Sequence, residues 1–217
     1  MAYPTHVAAA LSGASVRQLQ YWRQRRNGTP PLLVPETRSG SRVLYSFRDV
    51  IALRTFVYLR EDLSLQRIRK AVSRLREFGS TEHLSTYRLY AANRSVVWAA
   101  SDDGLVDLVK NPGQYQLKVT MRDVLAPFTN LRGEQVVDLL RPRQRLQVDP
   151  ETRGGYPVVL DTRIPYDLVG ELVADGVPPG EVAYFYPPVT AAAAADAFDF
   201  HVFAESLRGH LVAAAAG

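Results

Sequence analysis

The chain has 217 residues, 26 Lys+Arg against 22 Asp+Glu, four His and no Cys. A content of 47% hydrophobic and 22% charged residues suits a globular protein with its own core, and the lack of Cys excludes disulfide scaffolds, thiolate zinc sites, Cys nucleophiles and thiol redox sensing. No apolar run reaches the roughly 20 residues that cross a bilayer, and no basic-then-apolar leader opens the chain, so a cytoplasmic protein without a membrane partner is expected.

The formal net charge of +4 is unevenly placed. Residues 1–80 carry a balance of +9, residues 81–147 +2 and residues 148–217 −7, with Lys only at 70, 110 and 118. A basic front suggests an anionic partner at that end and a different surface at the other. Three domains are expected at these boundaries: a DNA-binding 1–80, a small β-rich linker or dimerisation segment 81–147, and a trihelical 148–217. The fold class expected is α+β, mainly helical.

Pro4-Thr5 opens a short helix with Val7, Ala8 and Leu11 apolar, and Ser12-Gly13-Ala14 breaks it. Ser15 is a good N-cap, after which Val16, Leu19 and Trp22 recur on one face as core. This is a helix-turn-helix whose second helix carries Arg17, Tyr21 and Arg25 outward, with Gln18 beside them. Arg pairs with guanine or phosphate, Gln reads adenine and Tyr donates to phosphate oxygens. Arg23, Arg25 and Arg26 read equally as a solvated helix end or a phosphate clamp. Leu32–Val34 and Val43–Tyr45 flank the basic tip Thr37-Arg38-Ser39-Gly40-Ser41-Arg42, a β-hairpin wing. Ser46-Phe47-Arg48-Asp49 is a capping box before a helix to about Arg60, and Ser64 caps another through about Phe78.

This stretch resembles the N-terminal DNA-binding domain of the MerR family of regulators. The matching run is Gly13-Ala14-Ser15-Val16-Arg17-Gln18-Leu19-Gln20-Tyr21-Trp22, then Pro35, Arg42, Tyr45 and Leu63-Ser64-Leu65. The resemblance implies DNA contacts by Arg17, Tyr21, Arg42 and Tyr45. Gln20 stands where the family often has Arg, and the long dimerising helix and metal-sensing Cys of the family are missing. The DNA-binding set expected is Ser15, Arg17, Gln18, Tyr21, Arg25, Arg38, Arg42 and Tyr45.

From residue 84 the period changes to that of strands: 86–91, 95–100, Leu105–Val109 and Tyr115–Val119, a small antiparallel sheet. Tyr87, Tyr90, Trp98 and Tyr115 read as its packed face, with a small-molecule pocket as the alternative, and Asp102-Asp103 as turn chemistry. Thr120 caps a helix over Met121–Leu125, and Leu131–Leu140 is expected to add a helical turn or two.

Val148 to Pro165 has the look of a tight hairpin feeding a helix with the stripe Leu168, Val169, Leu172 and Val173. A short helix over Pro178–Glu181 with Val182 and Phe185, and an Ala-rich helix from Ala191 through Phe203, complete a second helix-turn-helix arrangement. Its last helix offers Asp196 and Asp199 and no cation, so DNA reading there is rejected on charge.

This segment resembles the family known as domain of unknown function 433, through Gly154-Gly155-Tyr156-Pro157-Val158 and Thr162-Arg163-Ile164-Pro165, with Gly176, Glu181, Tyr186-Pro187 and Thr190 in place. Asp161 stands where the family usually has Gly. The resemblance implies an antitoxin role, and the two segments together resemble a VapB-type antitoxin whose partner is a VapC-type ribonuclease with a carboxylate-rich metal site. Arg163 reads either as an ion pair with Asp161 or Asp167 or as a partner contact. Phe185, Tyr186, Phe198, Phe200 and Phe203 exceed what so small a unit can bury, so the partner-binding set expected is Arg163, Phe185, Tyr186, Phe198 and Phe203. His6, His83, His201 and His210 lack ligand spacing, and His201 with Asp199 reads as an exposed helix pair; no cofactor, metal or catalytic residue is expected. The resulting expectation is a homodimeric, DNA-binding antitoxin that binds operator DNA and a VapC-type ribonuclease, with a ligand-responsive regulator as the alternative.

Overall fold

The computed structural model describes residues 2–25, 28–77, 88–92, 95–101, 104–107 and 121–215, with side chains described within 2–25, 28–37, 39–74 and 122–208. Helix α1 (Thr5–Ser12) stops at Gly13, whose φ of 73° lets its N–H return to the Ala9 carbonyl. Helix α2 (Val16–Trp22) starts in a capping box in which the Ser15 and Gln18 side chains each satisfy the other's backbone N–H. A hairpin forms next, but with a shifted first strand: β1 (Thr37–Ser39) pairs with β2 (Arg42–Leu44) around Gly40-Ser41, so residues expected at the tip are in the ladder. Leu32–Val34 is no strand and buries Leu32 and Leu33 in the core. A second capping box, Ser46 with Asp49, starts α3 (Phe47–Leu59), and α4 (Leu65–Glu77) follows Ser64. Trp22 packs edge-on against Phe56 at 6.0 Å, closing the core of this unit.

In the middle segment β3 (Arg88–Ala92), β4 (Ser95–Ser101) and β5 (Gly104–Asp107) form an antiparallel sheet in that order. The expected strand Tyr115–Val119, the Asp102-Asp103 turn, the end of the third strand and the side chains of Tyr87, Tyr90, Trp98 and Tyr115 lie outside the described residues. Helix α5 (Met121–Leu125) appears as expected. Leu131–Leu140 does not become helical. There β6 (Phe128–Thr129) pairs with β7 (Gln135–Val136) around Gly133 at φ 76°, because the Asn130 Oδ1 accepts from the N–H groups of Arg132 and Glu134 and shapes a turn instead.

The C-terminal hairpin is wider than its sequence suggested. Strand β8 (Leu146–Gln147) pairs with β9 (Val158–Val159), and the intervening loop carries a 3₁₀ turn at Arg153–Gly155 with Arg153, Gly154 and Gly155 all at positive φ. Asp161 also sits at φ 59°, a left-handed backbone that favours glycine. Helix α6 (Tyr166–Ala174), a 3₁₀ helix (Pro179–Tyr184) and α7 (Ala191–Ala215) follow, α7 running twelve residues past the expected end at Phe203. Gly170 lets α6 and α7 approach closely, since a Cβ there would meet the His201 Cβ at 2.5 Å.

One buried apolar cluster runs from Tyr3 to Ala204. Its seam is aromatic: Tyr3 stacks on Tyr156 at 5.9 Å, Tyr156 on Tyr166 at 5.8 Å, and Tyr166 meets Phe200 edge-on at 4.8 Å. The Tyr3 hydroxyl donates to the Gly155 carbonyl, and a Cβ on Gly155 would lie 2.8 Å from both that hydroxyl and Phe47. Burial raises the Tyr3, Tyr156 and Tyr166 phenols well above their usual range.

Arg54 lies wholly inside. Its Nε donates to the Val124 carbonyl, Nη1 to those of Leu11 and Val137, and Nη2 to those of Leu125 and Ala126. All five N–H groups therefore end on backbone carbonyls of three segments, and burial lowers the guanidinium to about 10.

Candidate nucleic-acid interface

The inner face of α2 is spent on Val16, Leu19 and Trp22, all buried, which fixes the opposite face toward solvent. Arg17 and Tyr21 are exposed there, whereas Arg25, expected on the same helical face, is exposed beyond the end of α2 at Trp22. The Arg17 guanidinium has no hydrogen bond or ion pair among the described residues. A concavity of about 450 Å³ is lined by Arg17, Gln18, Gln20, Tyr21, Gln24 and, from the end of α3, Arg60; no carboxylate lines it. Arg69 of α4 stacks its guanidinium over the Tyr21 ring at 5.2 Å and donates to the Pro30 carbonyl. Arg69, Lys70 and Arg74 line a neighbouring cleft of about 320 Å³ with Thr29 and Pro30. Cations from α2, α3 and α4 thus meet on one side of the molecule, which suits a polyanion.

The sites expected from sequence divide as follows. Ser15 is the cap of α2 and keeps its hydroxyl on the Gln18 N–H. The Gln18 Oε1 accepts from the Ser15 N–H and from Arg132 Nη1, both at 2.7 Å, so the two-ended amide pairing expected with adenine is reduced to its N–H₂ end. Arg42 stands exposed on the β1–β2 hairpin, apart from the α2 concavity, and the Arg38 side chain lies outside the described residues. Tyr45 departs from the expectation. It is 1% exposed, its backbone pairs with that of Tyr3, and burial raises its phenol against the opposing pull of the nearby Arg23. Tyr45 belongs to the core, not the open surface.

Sequence reasoning missed Arg60, Arg69, Lys70, Arg74 and Arg132. The signal for the α4 group was present as alternating cations in Leu65–Glu77, but nothing local announced Arg132. It arrives from the β6–β7 turn, where Arg132 Nη2 and Asn130 Nδ2 both donate to the Gly13 carbonyl and Glu134 pairs with Arg132. That pairing holds the Glu134 carboxyl below its usual value.

At the other end, Arg163 is exposed and forms neither expected ion pair; Asp167 instead accepts from the Tyr156 hydroxyl at 2.8 Å. The acidic residues of α7 hold the 143–145 loop: Asp199 pairs with Arg143, which lies over the Phe200 and Phe203 rings, and Asp196 accepts from the Arg145 N–H at 2.7 Å. Phe200 is buried, Tyr186, Phe198 and Phe203 are half-buried, and Phe185 is 59% exposed beside Tyr184 at 85%. Among the described residues no three His, Asp or Glu side chains are grouped to hold a metal, and no helix is long and apolar enough to cross a membrane.

Two family models match the chain: MerR HTH family regulatory protein over residues 3–75, and Protein of unknown function (DUF433) over residues 146–201. The chain therefore carries a MerR-type helix-turn-helix segment and a DUF433 segment. It is 32% identical over 136 residues to the uncharacterized HTH-type transcriptional regulators Rv1830 of Mycobacterium tuberculosis (strain ATCC 25618 / H37Rv) and Mb1861 of Mycobacterium bovis, a match covering 59% of this chain. The chain spans 58% of the length of those relatives. Its fold is similar to the crystal structure of Rv2018 from Mycobacterium tuberculosis, with a TM-score of 0.51 and 19% identity over 90% of this chain and 96% of that one.

Proposed function

We propose that the chain is a transcriptional regulator that binds operator DNA through α2 and the β1–β2 wing. The observation that carries this reading is the concavity in which Arg17, Gln18, Tyr21 and Arg60 converge without a carboxylate. The MerR-type match over residues 3–75 and the names of the relatives support it. Arg17, Arg25, Arg60 and the wing Arg42 act on phosphates or guanine edges, while the Gln18 amide offers a donor to a base. Reading a palindrome requires two copies, so a homodimer is part of the proposal. The test is a gel-shift assay over a salt series. Replacing Arg17 and Arg42 together with Ala is expected to lower affinity at least tenfold and to flatten the salt slope by about 2. Unchanged affinity and slope overturn it.

A second reading is favoured by the DUF433 match and by one surface. Tyr184 and Phe185 stand exposed next to one another on the C-terminal unit, with the acidic Glu181 beside them. In this reading the chain is a VapB-type antitoxin, and that surface, with Arg163, Tyr186, Phe198 and Phe203 nearby in sequence, grips a VapC-type ribonuclease. Co-expression with the product of the adjacent reading frame tests it. A ribonuclease that co-purifies with the wild type and is lost with Phe185→Ser is expected; a neighbour that is not a ribonuclease, or that does not co-purify, refutes it.

A further inference from the structure

Behind the helix-turn-helix turn lies a hollow of about 460 Å³, within the roughly 300–1,000 Å³ typical of small-molecule sites. Three separate parts of the chain wall it. The small residues Ala10 and Ala14 give it depth, Val16 and Val136 line its sides, and Phe203 and Leu207 of α7 cover it. The wall is overwhelmingly apolar; the exposed Arg17, Arg132, Glu134 and Gln135 form its polar mouth, while Ser15 is half-buried and Asn130 buried. Among these, Arg132 is matched by Glu134, and Asn130 is spent on the Gly13 carbonyl and on Glu134. Arg17 alone brings an unmatched charge to the mouth, so the opening carries a net positive charge over an apolar interior.

We propose that this hollow is an effector site for a compact apolar molecule bearing one carboxylate, such as a medium-chain alkyl or aryl acid, whose head group takes Arg17. The apolar body removes its surface from water against Val16, Val136, Phe203 and Leu207, and the carboxylate supplies the charge-assisted partner that Arg17 lacks. Arg17 lines both this hollow and the α2 concavity, so one guanidinium serves two anions. A bound acid withdraws it from phosphate and weakens DNA binding, a coupling that rests on the DNA-binding reading.

The site itself is tested on the full chain without DNA. Anilinonaphthalene sulfonate, an apolar body with one anionic group, is titrated by fluorescence and then displaced with decanoate below its micelle concentration. One saturable site is expected, from which decanoate displaces the probe at least tenfold better than decanol. Leu207→Trp, which fills the mouth from the half-exposed side of α7, is expected to abolish binding. Arg17→Gln, an exposed change that leaves the core untouched, is expected to weaken it roughly tenfold. Absence of saturable binding, equal displacement by decanol, or full binding by Arg17→Gln overturns the proposal. So does a dimer by light scattering that Leu207→Trp dissociates, because the hollow is then an interface between copies of the chain. With operator DNA present, decanoate is expected to lower affinity on the order of tenfold in the wild type and not in Leu207→Trp. A chain that binds the probe but no DNA overturns the regulatory reading and leaves the site standing.

Discussion

Arg132 Nη1 donates to Gln18 Oε1 at 2.7 Å, joining two residues 114 positions apart. One guanidinium from the β6–β7 turn thereby holds the first turn of α2 and, through the Gly13 carbonyl, the bend that precedes it. Arg132→Ala removes one of the two donors on the Gln18 Oε1, leaving the Ser15 N–H as the other, and so opens one acceptor position of the amide. It is expected to change base preference at the position Gln18 faces, with the salt slope of binding unchanged, because no phosphate contact is lost. A selection from randomised operators compared with the wild type reads this out. The same preference with a shifted slope would place Arg132 on the DNA backbone instead.

Among the described residues Arg54 donates to no carboxylate and instead reaches five carbonyls from three segments. Arg54→Met keeps the apolar stem but removes the guanidinium donors from the Leu11, Val124, Ala126 and Val137 carbonyls, the Leu125 carbonyl keeping the Leu139 N–H. An expected loss of about 3–5 kcal/mol in denaturant unfolding follows. Arg54→Lys has too few donors and too short a reach for all five and is expected to recover only part of that. Full stability in Arg54→Met would show that the surrounding backbone finds other donors.

Gly155 tests the contact between the two matched segments. At φ 85°, with Tyr3 and Phe47 where a Cβ would go, Gly155→Ala is expected to cost more than Gly133→Ala, which has a φ of 76° but open space around it. The control carries only the left-handed backbone penalty, about 1–2 kcal/mol. Thermal melts of both variants give the difference; equal losses would mean that Tyr3 and Phe47 move aside freely.

His6 links α1 to α7, with Nε2 3.1 Å from Glu205 Oε1. Burial lowers its imidazole below the ordinary 6.5, aided by Arg208 and His201, while Glu205 and more weakly Asp167 oppose the shift. The unfolded chain therefore takes up this proton more readily than the folded one, and stability falls as pH drops through about 6.5. The urea midpoint is expected to decline between about pH 7.5 and about pH 5.5, and His6→Gln is expected to reduce the decline. An identical decline in the variant would assign the pH dependence to other groups.

Helix α2, its Ser15 cap and the exposed Arg17 were legible because capping and 3.6-residue periodicity are local properties. The Ser39-Gly40 turn announced a hairpin, but its first strand was read at Leu32–Val34, since apolar residues drew the reading there and the ladder forms through the polar Thr37–Ser39 instead. The Leu131–Leu140 segment was misread because apolar spacing outweighed the Asn130 and Gly133 turn chemistry in the reading, whereas two side-chain hydrogen bonds decide the structure. Tyr45 was misplaced because it was assigned through the resemblance, whereas its backbone pairing with the distant Tyr3 sets it in the core. Arg54 and Arg132 were illegible in principle: each acquires its role from segments 43 or more residues away along the chain.

The hydroxyl of Tyr3 rests on the carbonyl of Gly155, 152 residues later. A ribosome making this chain has completed the whole helix-turn-helix segment long before Gly155 emerges, yet the first strand-like pairing of the N-terminus lacks that cover until then. The head made without Gly155 leaves uncovered a Tyr3 side chain that is wholly buried in the structure. Prematurely terminated chains ending before the Gly154-Gly155 turn are therefore expected to be cleared as unstable fragments. The stability of the helix-turn-helix segment is thus set in part by a residue that the segment does not contain.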